Sequence, residues 1–214
     1  MRIQEFLTEG RNHPVICVDV QPEYCGGIDD RNVSSVCANI IDFVALRQTG
    51  PVLMFVNAED QGLSGDTVVD IQRYWVDTVA EITNDYDNEQ PINWKRFQIV
   101  DKGYGYFRAW MDSGIEPATI IATIRELYRQ RISDSRELEF PAFNRRTTTQ
   151  SLIQGAIEEM SGDPLTVNWT SVAQLKRYSG SYLVGGGRNE CLREVELLMN
   201  AFNIRYKRID SLVY

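Results

Sequence analysis

Three side chains with complementary acid–base chemistry each follow an apolar run that predicts a buried strand. Asp19 follows a β-branched run, Lys102 comes shortly after the run that ends at Val100, and Cys191 follows another run and a glycine-rich turn. A carboxylate can take the proton of a thiol, an ammonium group stabilises the charges that result, and a thiolate attacks a carbonyl carbon. Since the carboxyl ends of parallel strands meet at one edge of a sheet, the pattern predicts that the three groups share one crevice at the ends of adjacent strands.

The segment that carries the cysteine predicts a strand, a tight turn and a helix in succession. Residues 182–184 are apolar, residues 185–187 are all glycine, and a helical pattern runs from about residue 189 to residue 202. One face of this helix is apolar, and its charged residues are predicted to point to water: Arg193, Glu194 and Glu196. Asn189 is the expected N-cap, and the positive end of the helix dipole would lower the pKa of the Cys191 thiol toward neutrality.

Each of the three groups also has an ordinary structural interpretation. A free cysteine is often a small buried hydrophobe, an aspartate after a strand often caps a turn, and a lysine is usually solvated. The hypothesis of a reactive site therefore depends on the coincidence of the three groups at one sheet edge, because none of them is specific by itself.

Apolar runs alternate with amphipathic helical patterns along the chain. Strands separated by helices are typical of right-handed βαβ units, which build a mainly parallel sheet between two helical layers. The pattern therefore predicts one domain over residues 1–214, folded as a three-layer α/β/α sandwich. The predicted strands lie near residues 15–20, 52–56, 97–100, 182–184 and 204–209, with a candidate edge strand at 165–169.

Composition argues against several classes of partner. The chain has 214 residues, a formal net charge of −8 and a pI near 4.8, so it offers no basic face to nucleic acid or to anionic membranes. No apolar run approaches the roughly 20 residues that span a bilayer, and no signal peptide is visible, so a cytoplasmic location is expected. Four cysteines without a CxxC pair predict reduced thiols, with neither a disulfide frame nor a zinc site.

A short motif follows the first predicted strand: Asp19, with Gln21 two residues on and then the aromatic Tyr24. It is similar to the opening motif of the isochorismatase-like cysteine hydrolases, in which phenylalanine is commoner than tyrosine. Lys102, which precedes the aromatic-rich residues 104–107, matches the family's catalytic lysine. Both motifs occur in the family's order.

The glycine-rich segment near the end of the chain carries the second part of this resemblance. The run from Gly185 to Cys191 is similar to the family's glycine-led segment, which ends in the nucleophilic cysteine six residues later. Asn189 stands where the family usually has aspartate, and Arg188 stands where it usually has threonine. The resemblance covers roughly residues 14–108 and 170–210.

The resemblance implies a six-stranded α/β sheet and an Asp19, Lys102 and Cys191 triad that hydrolyses an amide or related C–N bond of a small metabolite. Asp19 would activate the thiol of Cys191, and Lys102 would orient both groups and support them electrostatically. The main chain at Gly186 and Gly187 would hold the oxyanion of the reaction, and a cis peptide bond would join these two glycines.

Further expectations follow from the same resemblance. Three side chains near the triad are tentative substrate contacts: Gln21, Tyr24 and Arg188. An ordinary surface position is the alternative for Arg188, which would otherwise meet an anionic group of the substrate. Members of the family are commonly dimers or tetramers, so a homo-oligomer is expected.

The chain departs from the family pattern in two places. Nicotinamidases of this superfamily bind a metal through an aspartate and two histidines after the second strand, whereas residues 57–61 contain no histidine and His13 lies before the first strand. We therefore expect no metal and no other cofactor. Residues 109–168 form a much longer region than the family's short helix, and this insertion could act as a lid or as an oligomer contact.

Two other functions compete with catalysis by a cysteine hydrolase. The chain could be a catalytically inactive member of the fold that acts as a ligand-binding or protein-interaction module. Thiol redox chemistry through Cys25 and Cys191 is a further alternative, although neither residue has a neighbouring resolving cysteine in the sequence.

Overall fold

A computed structural model places a five-stranded, fully parallel sheet at the centre of the described part of the protein. It describes residues 11–25, 31–56, 66–88, 91–101, 108–129, 148–162 and 169–214. The strands, in the spatial order β3-β2-β1-β4-β5, are β1 (Val15–Val18), β2 (Val52–Val56), β3 (Phe97–Asp101), β4 (Ser181–Gly185) and β5 (Tyr206–Arg208).

Helices cover both faces of this sheet. One layer consists of α1 (Pro22–Cys25), α2 (Arg31–Ile41), which continues as a π-helical turn (Asp42–Arg47), and α3 (Val68–Thr83). The other consists of α4 (Arg108–Asp112), α5 (Pro117–Arg129), α6 (Thr149–Gly162), α7 (Trp169–Arg177) and α8 (Cys191–Ala201). No helix in the described ranges is both long enough and apolar enough to cross a bilayer.

The three-layer sandwich follows from strands that are apolar on both faces. Every residue of β1 is buried, and alternate side chains enter opposite cores: Val15 and Cys17 pack against α1, α2 and α3, whereas Ile16 and Val18 pack against α5 and α8. A parallel strand covered on both sides needs such a continuous apolar run. The predicted α/β/α architecture with a mainly parallel sheet is therefore confirmed.

The sheet has five strands in the part of the chain that the structure describes, one fewer than the resemblance implies. The candidate edge strand at residues 165–169 lies mostly outside the described residues, and its last residue, Trp169, begins helix α7 instead. The alternation of apolar and polar residues that predicted the strand is too short to exclude a helix start. Within residues 109–168, helix α5 packs against α8 and α6 and so contributes to one of the two cores.

The observed strand order contradicts the expectation that the three strands preceding Asp19, Lys102 and Cys191 are adjacent in the sheet. The chain lays β2 and β3 on one side of β1 and then returns to lay β4 and β5 on the other side. Asp19 and Cys191 therefore follow neighbouring strands, but β2 separates β3, which precedes Lys102, from β1. Strand order depends on which crossovers bury the most apolar surface, and the order of strands along the chain does not determine it.

Helix α8 is buried on more sides than its amphipathic pattern predicts. Glu194 and Glu196, which were expected to point to water, are each 3% exposed. Arg193 and Arg208 donate to the two carboxylate oxygens of Glu196, each at 3.1 Å. The expectation was wrong for both glutamates. For Glu196 the reason is that Arg208, at the end of β5, reaches the helix and supplies a cation to the carboxylate.

We predict that Glu196→Gln lowers the free energy of unfolding by about 2 kcal/mol, because it removes charge-assisted hydrogen bonds to a buried carboxylate. Urea unfolding followed by circular dichroism measures this. Glu126→Gln is the matched control, since Glu126 pairs with a largely exposed Arg129 on the surface and should cost no more than about 0.5 kcal/mol. Equal losses in the two variants would contradict the assignment of a buried ion pair.

The four cysteines do not all remain thiols, contrary to expectation. Cys25 at the end of α1 and Cys37 in α2 form a disulfide with a Cα–Cα distance of 6.0 Å, while Cys17 and Cys191 keep their thiol groups. A separation of 12 residues carries no motif, and the two cysteines meet only because α1 packs on α2. In this structure Cys25 is therefore paired with Cys37, and not with Cys191 as the redox alternative supposes.

The disulfide predicts a count of reactive thiols. Denatured, unreduced protein should take up two alkyl groups from iodoacetamide, and reduced protein should take up four, as intact mass spectrometry would show. Cys37→Ser should take up three groups without reductant. Because a loop of this length stabilises the folded state by about 3 kcal/mol, reduction should also lower the unfolding midpoint. Four groups before reduction would contradict the pairing.

Candidate active site

Asp19 lies at the carboxyl end of β1 with its backbone held from both sides. Its amide donates to the oxygen of Phe55 on β2 at 3.0 Å, and its carbonyl accepts from the amide of Gln21 at 3.0 Å and from the hydroxyl of Tyr214 at 2.8 Å. Its φ of +53° is in the left-handed region, which is unusual for a residue with a Cβ. The side chain is almost completely buried. Such a conformation is typical of functional positions in which surrounding contacts hold an unfavourable backbone.

The turn before Cys191 depends on glycine. Gly185 and Gly186 have φ values of +86° and +57°. A Cβ on Gly185 would overlap the carbonyl oxygen of Val18 and lie 2.8 Å from Cγ2 of Val20. The end of β4 can therefore approach the end of β1 closely only because Gly185 has no side chain.

Cys191 is the first residue of α8, and the turn differs in two details from what the sequence and the resemblance predict. The peptide bond between Gly186 and Gly187 is trans, not cis as the resemblance implies. The N-cap of the helix is Glu190 rather than Asn189, and no side-chain hydrogen bond caps it. Instead, the carbonyl of Gly187 accepts from the amides of Glu190 and Leu192 at 3.0 and 3.3 Å.

The register of the sheet brings the Asp19 and Cys191 segments together. Val18 pairs with Gly185 across β1 and β4, so the residues that follow each strand leave the sheet side by side. Cys191 is half-buried. The reversal of strand order falls between these two strands, and crevices at such reversals are where open α/β sheets bind ligands.

Lys102 itself lies outside the described residues. Asp101 ends β3 and pairs with Val56, so β3 ends at the same edge of the sheet as β1. Because β2 intervenes, β3 lies roughly 10 Å from β1, a separation that only a long side chain can bridge. The role of Lys102 remains a prediction.

The three tentative substrate contacts occupy different surroundings. Gln21 is fully buried, and its Nε2 donates to Oδ2 of Asp66 at 3.1 Å. Tyr24 is half-buried in α1, beside Tyr214. The guanidinium of Arg188 pairs with the carboxylate of Asp210 at 3.1 Å, so its charge already has a partner within the chain.

Two residues near the candidate site, Asp66 and Tyr214, are not predicted from the sequence. Asp66 accepts from the main-chain amide of Glu23 at 2.8 Å as well as from Gln21, and so holds the loop after β1. Burial raises the pKa of Tyr214 well above its usual range, and the charges of Asp19 and Cys191 raise it further. Tyr214 therefore lies within electrostatic reach of both predicted reactive groups. For Tyr214 the sequence did contain a signal: residues that follow a parallel fifth strand reach the sheet edge at which Asp19 and Cys191 lie.

A cavity of about 290 Å³ lies elsewhere, between α8 and the start of α5. Arg193 and Leu197 line it from one side of α8, since residues four apart share a helix face, and Asn189 lines it from the turn before the helix. Cys191 precedes Arg193 by two residues, which puts it on a different side of the helix. This cavity is therefore separate from the thiol.

The described residues contain no group of three or more histidine, cysteine, aspartate or glutamate side chains arranged to hold a metal ion. The chain matches no protein-family model, no curated protein and no solved structure in the comparisons made with them. Its function must therefore be argued from its own residues.

Proposed function

We propose that this chain is a cysteine hydrolase of the isochorismatase-like type that cleaves an amide or related C–N bond of a small metabolite. The observation that carries the proposal is that Asp19 and Cys191 follow neighbouring parallel strands, β1 and β4, on either side of the reversal in strand order. A half-buried thiol at the start of a helix and a buried carboxylate at the adjoining strand end are the parts that nucleophilic acyl transfer requires.

In the first half of the proposed reaction, Asp19 takes the proton of the Cys191 thiol and the thiolate attacks the carbonyl carbon of the substrate. The carbonyl oxygen becomes an oxyanion, which main-chain N–H groups in the turn at Gly186 and Gly187 stabilise. The C–N bond breaks as Asp19 returns the proton to the leaving nitrogen, and a thioester remains on the sulfur.

In the second half, Asp19 takes a proton from water, and the resulting hydroxide attacks the thioester carbon. The C–S bond breaks, the acid is released, and the proton returns to the thiolate, so that both residues recover their initial state. Lys102 supplies a positive charge that balances the carboxylate and the thiolate. These steps move only protons and acyl groups, and they use no metal or other cofactor.

An activated ester tests the proposal without knowledge of the natural substrate. Incubation with p-nitrophenyl acetate should add one acetyl group to Cys191, mapped by peptide mass spectrometry, and should release more p-nitrophenol than there is protein. Cys191→Ala should abolish both signals. Cys17, which is free but buried and has a pKa raised by that burial, is the internal control and should not react in the folded protein.

Two results would count against a hydrolase. Absence of acetylation at Cys191 would remove the activated thiol from the proposal. A single acetylation without turnover would favour the alternative of a catalytically inactive module that binds a ligand or a protein. The homo-oligomeric state and the cytoplasmic location stay predictions.

A further inference from the structure

The segment after β5 runs along the sheet edge that carries Asp19 and Cys191. β5 is parallel to β4, and the amide of Ile209 donates to the oxygen of Leu183 at 3.1 Å. A 3₁₀ turn (Asp210–Leu212) follows, and Leu212 and Val213 are buried, so the segment is packed onto the body of the protein. Tyr214 is thereby carried to the ends of β1 and β4.

Tyr214 makes a hydrogen bond to the backbone of Asp19. Its hydroxyl donates to the Asp19 carbonyl at 2.8 Å. That residue has a left-handed backbone, which a side chain with a Cβ adopts only when neighbouring contacts favour it. The direction in which a side chain leaves the main chain depends on φ and ψ, so a contact that holds this backbone also orients the carboxylate.

The same segment is also bonded to the turn that precedes the cysteine. The amide of Arg188 donates to the main-chain oxygen of Tyr214 at 2.7 Å. The Arg188 guanidinium contacts Asp210 twice, with its carboxylate at 3.1 Å and its main-chain oxygen at 3.2 Å. Arg208 donates to the same carboxylate at 2.8 Å. Tyr214 and Asp210 therefore connect the turn before Cys191 to the end of β5.

The electrostatic surroundings keep the Tyr214 hydroxyl a donor. Burial, followed by the negative charges of Asp19 and Cys191, raises the pKa of this phenol, so it stays protonated throughout the neutral range. A neutral hydroxyl that donates to a carbonyl gives a directional contact without adding charge to the site.

We propose that Tyr214 is a positioning residue, whose hydroxyl holds Asp19 in its left-handed conformation and whose main-chain oxygen holds the turn before Cys191. The inference rests on the proposed function, because Tyr214 acts on the reaction only through Asp19 and Cys191. The inference gives the segment after β5 a role in positioning the candidate active site, in addition to its role in packing.

Tyr214→Phe tests this inference, since it keeps the ring and removes the donor. We expect the acetylation of Cys191 by p-nitrophenyl acetate to slow about 10-fold, the factor that corresponds to the loss of one well-placed hydrogen bond. In an Asp19→Asn background the same substitution should slow acetylation less than about 2-fold, because its effect passes through the Asp19 carboxylate. Tyr206→Phe is the control. Tyr206 belongs to β5, and its hydroxyl accepts a long 3.5 Å contact from Asn200, so acetylation should not change.

The outcomes separate the two proposals. If wild-type Cys191 is not acetylated, the hydrolase proposal fails and this inference fails with it. If the wild type is acetylated and Tyr214→Phe reacts at an unchanged rate, only the positioning role is overturned. Equal slowing by Tyr214→Phe in the wild-type and Asp19→Asn backgrounds would assign Tyr214 a general packing role and also overturn the inference.

Discussion

Replacing Asp19 with asparagine is expected to slow the acetylation of Cys191 and the release of p-nitrophenol about 100- to 10,000-fold, the range for loss of a general acid–base group. The amide keeps the size and the shape of the carboxylate but cannot take the thiol proton. Initial rates at neutral pH, with the protein in excess for the acetylation step, measure the effect.

An aspartate outside the candidate site provides the control for this prediction. Asp70 caps α3 by accepting from the amide of Thr67, and hydrogen bonds from Thr67 hold the pKa of its carboxyl below the usual range. Asp70→Asn should change the rates less than about 3-fold, because it alters a helix cap and no group near the thiol. Similar losses in the two variants would show that the reaction does not depend on the Asp19 carboxylate.

Gly185→Ala is expected to lower the free energy of unfolding by about 3 kcal/mol or more. The substitution places a Cβ against the carbonyl of Val18 and the side chain of Val20, in a backbone conformation that alanine disfavours. The two strand ends must then separate, so acetylation of Cys191 should fall together with stability. Urea unfolding and the ester assay measure the two effects.

Gly180→Ala isolates the steric part of this loss. Gly180 has a φ of +89°, close to that of Gly185, but a Cβ there would meet nothing within 4 Å. Its substitution should therefore cost only the conformational strain, about 1 kcal/mol, and should leave the ester assay unchanged. If both alanine variants lose the same stability, the close approach of β1 and β4 at Gly185 is not what the turn requires.

The local elements of the fold could be predicted because their signals are local. The apolar runs at residues 15–20 and 52–56 predicted buried strands, and β1 and β2 lie within those ranges. The periodicity of a strand or a helix is a property of a short segment, so it can be recognised without knowledge of the rest of the chain.

Several features of the candidate site could not be predicted, because they depend on contacts between distant segments. The burial of Glu196 requires Arg208, and the Cys25 to Cys37 disulfide requires the packing of α1 on α2. The contact from Tyr214 to Asp19 joins residues 195 positions apart. No periodicity or motif in either partner indicates such a pairing.

The amino-acid sequence by itself determined the class of fold and placed Asp19 and Cys191 after buried strands, since side-chain shape and polarity decide which segments extend, coil or turn. The tertiary structure alone decided that β1 and β4 are neighbours, that β2 separates them from β3, and that Tyr214 reaches Asp19. The physical reason is that strand order and long-range contacts result from the burial of apolar surface by the whole chain, a property that no single segment carries.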